Sequence, residues 1–212
     1  MPEPSLVQRA AQVLRDGDLI LLPTDTVYGV AADVRDDEAV EAIYRAKRRD
    51  PSQPLQLLFG RDSALISRYA KVTPAAQHLI DALGPGGWTI IVPVAEGFSS
   101  RALAGGGTVG IRVVPVELVL DIVDALGAPL AATSANVSEG PSPTTCDQAK
   151  EQLGAFCAMA IDGGPTDAGI DSTVIDMASE PPQILREGAI DRATIARILK
   201  LPEIHVVRSV RQ

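Results

Sequence analysis

Four polar stretches of this 212-residue chain carry the residue types that hold anionic groups. They are Pro23–Gly29 (PTDTVYG), Lys47-Arg48-Arg49 with Gln53-Pro54, Thr133–Ser138 (TSANVS) running on to Pro141–Thr145 (PSPTT), and Asp162-Gly163-Gly164 running on to Asp171-Ser172-Thr173. Hydroxyls, amides, glycines and a few cations suit the holding of phosphate and carboxylate. They do not suit a nucleophile with a general base. Ser134 has no evident histidine partner in a chain whose only histidines are His78 and His205, which excludes a multi-histidine metal site and disfavours a Ser-His-Asp hydrolase. Neither G-x-x-x-x-G-K-[ST] nor G-x-G-x-x-G occurs, and Asp162, Asp167 and Asp171 do not follow an EF-hand loop. Taken singly, each stretch would serve as well to close a turn. The weight therefore falls on whether the fold brings the four together.

The elements between them are legible. Ser5 precedes an apolar spacing of 3 to 4, and Gly17 follows it, which predicts a helix over about 5–16. Short apolar runs predict strands at 18–22 and 27–32, so the first polar stretch is a turn between buried strands. Asp36 or Asp37 caps a second helix, with Arg45, Lys47, Arg48 and Arg49 at its end, where cations also complement the helix terminus. A strand at 55–59, helices over about 61–69 and 74–83 and a strand at 88–94 follow. The segment 95–107, with Gly105-Gly106-Gly107, reads as a loose lid. Then come a strand at 109–114, a helix at 116–126, a strand at 129–133, a polar loop at 134–145 and a helix at 146–153. A strand at 157–161, a Gly- and Asp-rich loop at 162–171, strands at 172–177 and 182–186 and a helix at 191–199 complete it, with a tail that is docked or frayed and carries Arg208 and Arg211. Interleaved strands and helices predict a mixed, mostly buried sheet flanked by helices, in a single domain over 1–212. Loops at strand ends are where such sheets bind ligands.

Composition narrows the function. At 46% apolar and 22% charged residues the chain is an ordinary globular domain, and at 3% aromatics it lacks stacking platforms for single-stranded bases. A formal net charge of −8 repels polyanions, so general nucleic-acid binding is disfavoured while a local basic pocket is not. Cys146 and Cys157 match no zinc pattern and suggest no disulfide framework, which points to a reduced cytoplasm. The start MPEPSLVQRA shows no secretory signal, and no apolar run is long enough to span a membrane.

From about Leu19 to Ala189 the motifs stand in a definite order. PTDTVYG at Pro23–Gly29 is followed by the K-x-R pair Lys47 and Arg49, Pro85-Gly86 with Thr89, and Gly110-Ile111-Arg112. The S-x-N pair Ser134 and Asn136, Ser142-Pro143, Asp171-Ser172-Thr173-Val174 and Ile184-Leu185-Arg186 then succeed one another. This series resembles the YrdC-type threonylcarbamoyl-AMP synthase family, in its short single-domain form. Members begin the synthesis of N6-threonylcarbamoyladenosine in tRNA.

The resemblance implies an α+β (mixed α/β) fold with a twisted mixed sheet and a concave, positively charged cavity. It implies a nucleotidyltransferase that joins L-threonine, bicarbonate and ATP into threonylcarbamoyl-AMP and pyrophosphate, with Mg²⁺ accompanying ATP and no protein metal ligands assigned. Carried over by motif, Thr26, Arg112 and Ser172 would hold threonine, Arg112 through its carboxylate. Lys47, Arg49, Ser134 and Asn136 would surround the phosphates and the carbamate as the catalytic tetrad. Gln53, Thr108, Ser142 and Arg186 would complete the ATP site with Arg49 and Ser134. The product would pass to a tRNA threonylcarbamoyltransferase complex, with at most weak tRNA binding by this chain and no membrane association.

Three positions depart from the family pattern. Leu58 stands where many members have histidine, Asp171 replaces a common Glu, and Arg186-Glu187-Gly188 replaces Arg-Pro-Gly. Glu187 and the PGGWT run at Pro85–Thr89 are similar to a paralogous branch of YciO-like proteins, which leaves RNA binding, or action on another carbamoyl adenylate, as the alternative function. The intact S-x-N pair favours the synthase.

Overall fold

The computed structural model describes residues 5–207. Ser5 and Gln8 form a reciprocal capping box at the start of α1 (Leu6–Arg15), and the chain continues through β1 (Ile20–Leu22), β2 (Gly29–Asp33) and α2 (Asp37–Lys47). Next come β3 (Gln56–Phe59), α3 (Ser63–Ile66), α4 (Pro74–Leu83), β4 (Trp88–Pro93), β5 (Thr108–Val113), α5 (Glu117–Leu126) and β6 (Leu130–Ser134). The last elements are α6 (Cys146–Leu153), β7 (Met159–Ala160), β8 (Thr173–Asp176), β9 (Gln183–Arg186), α7 (Arg192–Leu199) and β10 (His205–Val206). Among the described residues no helix is long and apolar enough to cross a membrane.

Among the described residues ten strands form one sheet in the order β10-β9-β8-β4-β5-β3-β6-β2-β1-β7. It is mixed, as the interleaved pattern predicts: β3 with β5 and β4 with β8 run parallel, whereas β4 with β5 and β3 with β6 run antiparallel. Period-two alternation divides the central strands between two faces. Leu57, Trp88, Ile90 and Ile111 enter a core shared with α2, α4, α6 and α7. On the opposite face α1 packs on α5, and both cover Ile20, Leu22, Ala31 and Leu130 in a second core. That second cover spans β1, β2, β6 and part of β3. Over β5, β4 and β8 the same face opens as a cleft, lined by the residues that alternate with the buried ones.

The helices α4 and α6 coincide with the predicted ranges, because Thr73 caps α4 with Pro74 at its first position and Thr145 caps α6. The helix expected over 61–69 is only four residues long. Ala70 bridges to Val94 and the Lys71 N–H donates to Pro93 O, so the chain leaves the helix to follow β4, with Tyr69 edge-on to Phe59 and Phe98. The expectation of a loose lid over 95–107 is also corrected. A one-turn 3-10 helix, Arg101–Leu103, buries Ala102 and Leu103, and Ala102 O accepts from the Leu55 N–H. Arg101 lies over the Tyr44 ring and pairs with Glu41. In the tail, β10 docks parallel to β9, while Arg208 and Arg211 lie outside the described residues.

Candidate active site

The cleft has a volume of about 310 Å³, within the range of small-molecule sites. Seven strands reach it: Gly29 from β2, Gln56 and Leu58 from β3, Thr89 and Ile91 from β4, Thr108, Gly110 and Arg112 from β5, Ser134 from β6, Val174 from β8 and Arg186 from β9. Arg49 enters from beyond α2, and Asp171 and Ser172 from the loop before β8. Three guanidinium groups therefore face one lining carboxylate.

Of the eleven residues singled out in sequence, Arg49, Thr108, Arg112, Ser134, Ser172 and Arg186 line the cleft. The other five stand one layer behind and hold those that do. Thr26 Oγ1 accepts from Arg112 Nη2 at 2.9 Å. The Gln53 side chain is exposed, but its carbonyl accepts from Tyr44 Oη at 2.9 Å and from Arg49 Nε at 3.4 Å. Ser142 Oγ lies 3.3 Å from each carboxylate oxygen of Asp171. Lys47 is 1% exposed, and its ammonium donates to the carbonyls of Ser134 and Asn136 and to Asn136 Oδ1. Asn136 is fully engaged, its Oδ1 accepting from Ser134 Oγ and its Nδ2 donating to Val137 O and Gly140 O. Lys47 and Asn136 thus shape the turn that presents Ser134.

The backbone after α2 sorts its cations. Lys47 is the last helical residue and points inward, Arg48 takes a left-handed φ of 52° and is exposed, and the reversal returns Arg49 to the cleft. Burial first, and then repulsion from Arg49, pull the Lys47 pKa down to about 7, with Asp171 opposing. Burial also lowers the Arg49 and Arg112 pKa values, and Arg186 adds to both effects, as expected of cations converging on one site.

Arg112 has an internal partner that the sequence did not reveal. Its Nη2 is 2.6 Å from Asp25 Oδ1, and its Nε donates to Gly86 O at 3.3 Å. Arg186 clamps the Ser172 backbone, with Nε and Nη2 at 3.0 and 2.8 Å from Ser172 O, and lies 3.8 Å from Asp171. Gln56 was also missed as a site residue. Its one available signal is that it is the polar residue of an otherwise apolar strand.

Among the described residues no group of three histidine, cysteine or carboxylate side chains could hold a metal ion. A divalent ion would have to be carried mainly by ligand phosphates, with Asp171 as the one carboxylate lining the cleft.

A family model for Sua5, YciO and YrdC proteins, described as telomere recombination, matches residues 12–188. A threonylcarbamoyl-AMP synthase of Bacillus subtilis is 36% identical over 198 residues, covering 93% of this chain and 57% of the relative. The crystal structure of Pyrococcus abyssi Sua5 complexed with L-threonine superposes with a TM-score of 0.88 at 33% identity, covering 95% of this chain and 58% of the other. E. coli YciO superposes at 0.80 and 27% identity, covering 90% of this chain and 93% of that one. The chain thus spans a little over half the length of the first two proteins.

Proposed function

The chain belongs to the Sua5/YciO/YrdC family, and from that premise we propose that it is an L-threonylcarbamoyladenylate synthase. Its substrates are L-threonine, bicarbonate and ATP. The observation that carries the reading is the convergence of Arg49, Arg112 and Arg186 with the hydroxyls of Thr108, Ser134 and Ser172 in one cleft.

The chemistry asks for position and charge rather than for a base. The threonine nitrogen takes up bicarbonate to give a carbamate with loss of water. A carbamate oxygen then bonds to the α-phosphorus of ATP while the bond to the β-phosphate oxygen breaks and pyrophosphate leaves. Two anions must approach each other, and fixed cations stabilise the crowded charge without reorganising. Arg49 and Arg186 face the phosphates, Ser134 and Thr108 offer hydroxyls, and Arg112 and Ser172 receive the amino acid. A Mg²⁺ ion bound with ATP would supply further neutralisation, and Asp171, the carboxylate that lines the cleft, would help to hold it.

The free thiols of Cys146 and Cys157 suit a cytoplasmic setting. With a formal net charge of −8, the chain binds tRNA weakly at most and passes its product to a separate tRNA threonylcarbamoyltransferase complex. Pyrophosphate release in the presence of ATP and Mg²⁺ tests the reading. It should require both threonine and bicarbonate, and release indifferent to threonine overturns it.

A further inference from the structure

Behind the guanidinium groups, a row of hydrogen bonds crosses the cleft floor from strand to strand. Arg186 Nη2 donates to Ser172 Oγ at 3.1 Å, Ser172 Oγ is 2.9 Å from Thr89 Oγ1, and Thr89 Oγ1 donates to Gln56 Oε1 at 2.5 Å. The direction of the row follows from its last link. Thr89 gives its one proton to Gln56 Oε1, so toward Ser172 it accepts, and Ser172 in turn accepts from the guanidinium, which can only donate. Thr89 and Ser172 are buried in the cleft floor, at 4% and 2% exposure.

Gly110 makes the last link possible. It lies on β5, between β3 and β4, paired with Gln56 on one side and Ile91 on the other. A Cβ at this position would sit 3.1 Å from Thr89 Cγ2 and 3.6 Å from Gln56 Cβ, in the space across which the two side chains meet. The missing side chain lets a residue of β4 bond one of β3 over the top of β5.

The row therefore ends in an oriented amide. With Oε1 held by Thr89, Gln56 turns its Nε2 donor to the cleft, and among the described residues that nitrogen has no acceptor. Leu58, two residues along the same face of β3, is paired in register with Arg112 and also lines the cleft. An amino acid whose carboxylate lies at Arg112 thus meets an apolar side chain and a neutral donor side by side on one strand. A carboxylate is better met by the guanidiniums, which leaves the amide a neutral oxygen.

Resting on the synthase reading, we propose that Gln56 is a specificity-determining residue whose amide donates to the side-chain hydroxyl of the substrate amino acid, with Thr89 as the positioning residue that fixes the amide. The subsite separates threonine from valine, which matches it in shape and has a methyl in place of the hydroxyl. A site built to hydrogen-bond a hydroxyl rejects such an analogue strongly, because the site's own donor is otherwise left buried and unpaired.

The test is calorimetric titration of the protein with L-threonine and with L-valine, alongside the pyrophosphate assay on the unaltered protein. The unaltered protein should bind threonine at least ~100-fold more tightly than valine. Gln56→Leu should shrink that ratio at least tenfold, mostly through weaker threonine binding. Thr89→Val, which keeps the shape and removes the hydroxyl, should shrink it in the same direction and serves as the readout if Gln56→Leu does not fold. A ratio within twofold of the unaltered protein's in a folded variant overturns the assignment while the synthase reading stands. Loss of threonine-dependent pyrophosphate release in the unaltered protein overturns both, and the two failures are thereby told apart.

Discussion

Lys47 Nζ lies 2.5 Å from the carbonyl oxygen and 3.2 Å from the side-chain oxygen of Asn136. The lysine thereby ties down the turn that carries Ser134. The cost of burying it should be visible in the stability of the fold.

The sign of that cost follows from the proton. Lys47 has an ordinary pKa of 10.5 and a folded value pulled down to about 7 by burial. Between these two values the unfolded chain binds more protons than the folded one, so the Lys47 contribution to stability is largest above pH 10.5 and is lost as pH falls to 7. Relative to Lys47→Met, the unaltered protein should gain stability from pH 7.5 to 10 at up to ~1.4 kcal/mol per pH unit. Urea unfolding of both proteins across that range checks it, and parallel pH profiles would contradict it.

Arg49→Lys should lower kcat/KM for ATP at least tenfold with little change in melting temperature. The Arg49 Nε and Nη2 donate to Gln53 O and Pro54 O, which sets the plane of the fork. A lysine has no planar fork to fix in this way and offers a phosphate a single point of charge. Steady-state kinetics at saturating threonine give the comparison.

Asp25→Asn removes the charge that balances a nearly buried Arg112. Leaving a buried cation without its counter-ion is costly, at about 3–5 kcal/mol when a partner is removed outright, and less here because asparagine can still accept a hydrogen bond. The variant should melt at lower temperature. Added threonine, whose carboxylate supplies the missing charge, should raise its melting temperature more than it raises that of the unaltered protein. Equal shifts would place the threonine carboxylate elsewhere.

Gly188→Ala should damage the site from outside it. A Cβ there would fall 2.2 Å from Asp171 O and 2.6 Å from Ser172 C, both backbone atoms that cannot swing away. The clash should cost about 1–3 kcal/mol and raise the KM for threonine by displacing Ser172. Denaturation and kinetics on the same preparation test both halves.

Local punctuation made much of the fold legible. Thr73, Pro74 and Gly84 bracket α4, Thr145 opens α6, and alternation on β4 and β5 marks which residues face the core. The lid was misread because Gly105-Gly106-Gly107 is a local signal, whereas the docking of Ala102 and Leu103 depends on distant residues. At the site, motif order found the six residues that line the cleft but not the layering behind them. Four neighbouring cations at a helix end look alike in sequence, and only the left-handed Arg48 decides that Lys47 goes inward while Arg49 returns to the cleft. Asp25 and Gln56 were missed because their partners, Arg112 and Thr89, are 87 and 33 residues away in the chain.

The sheet's two borders carry a further consequence. Among the described residues both outermost strands, β7 and β10, are only two residues long, although the strands between them number eight. A growing cross-strand aggregate needs a long, straight border to copy, and each end of this sheet offers about one rung. Among the described residues, the border strands therefore offer little that could template the stacking of one molecule on the next.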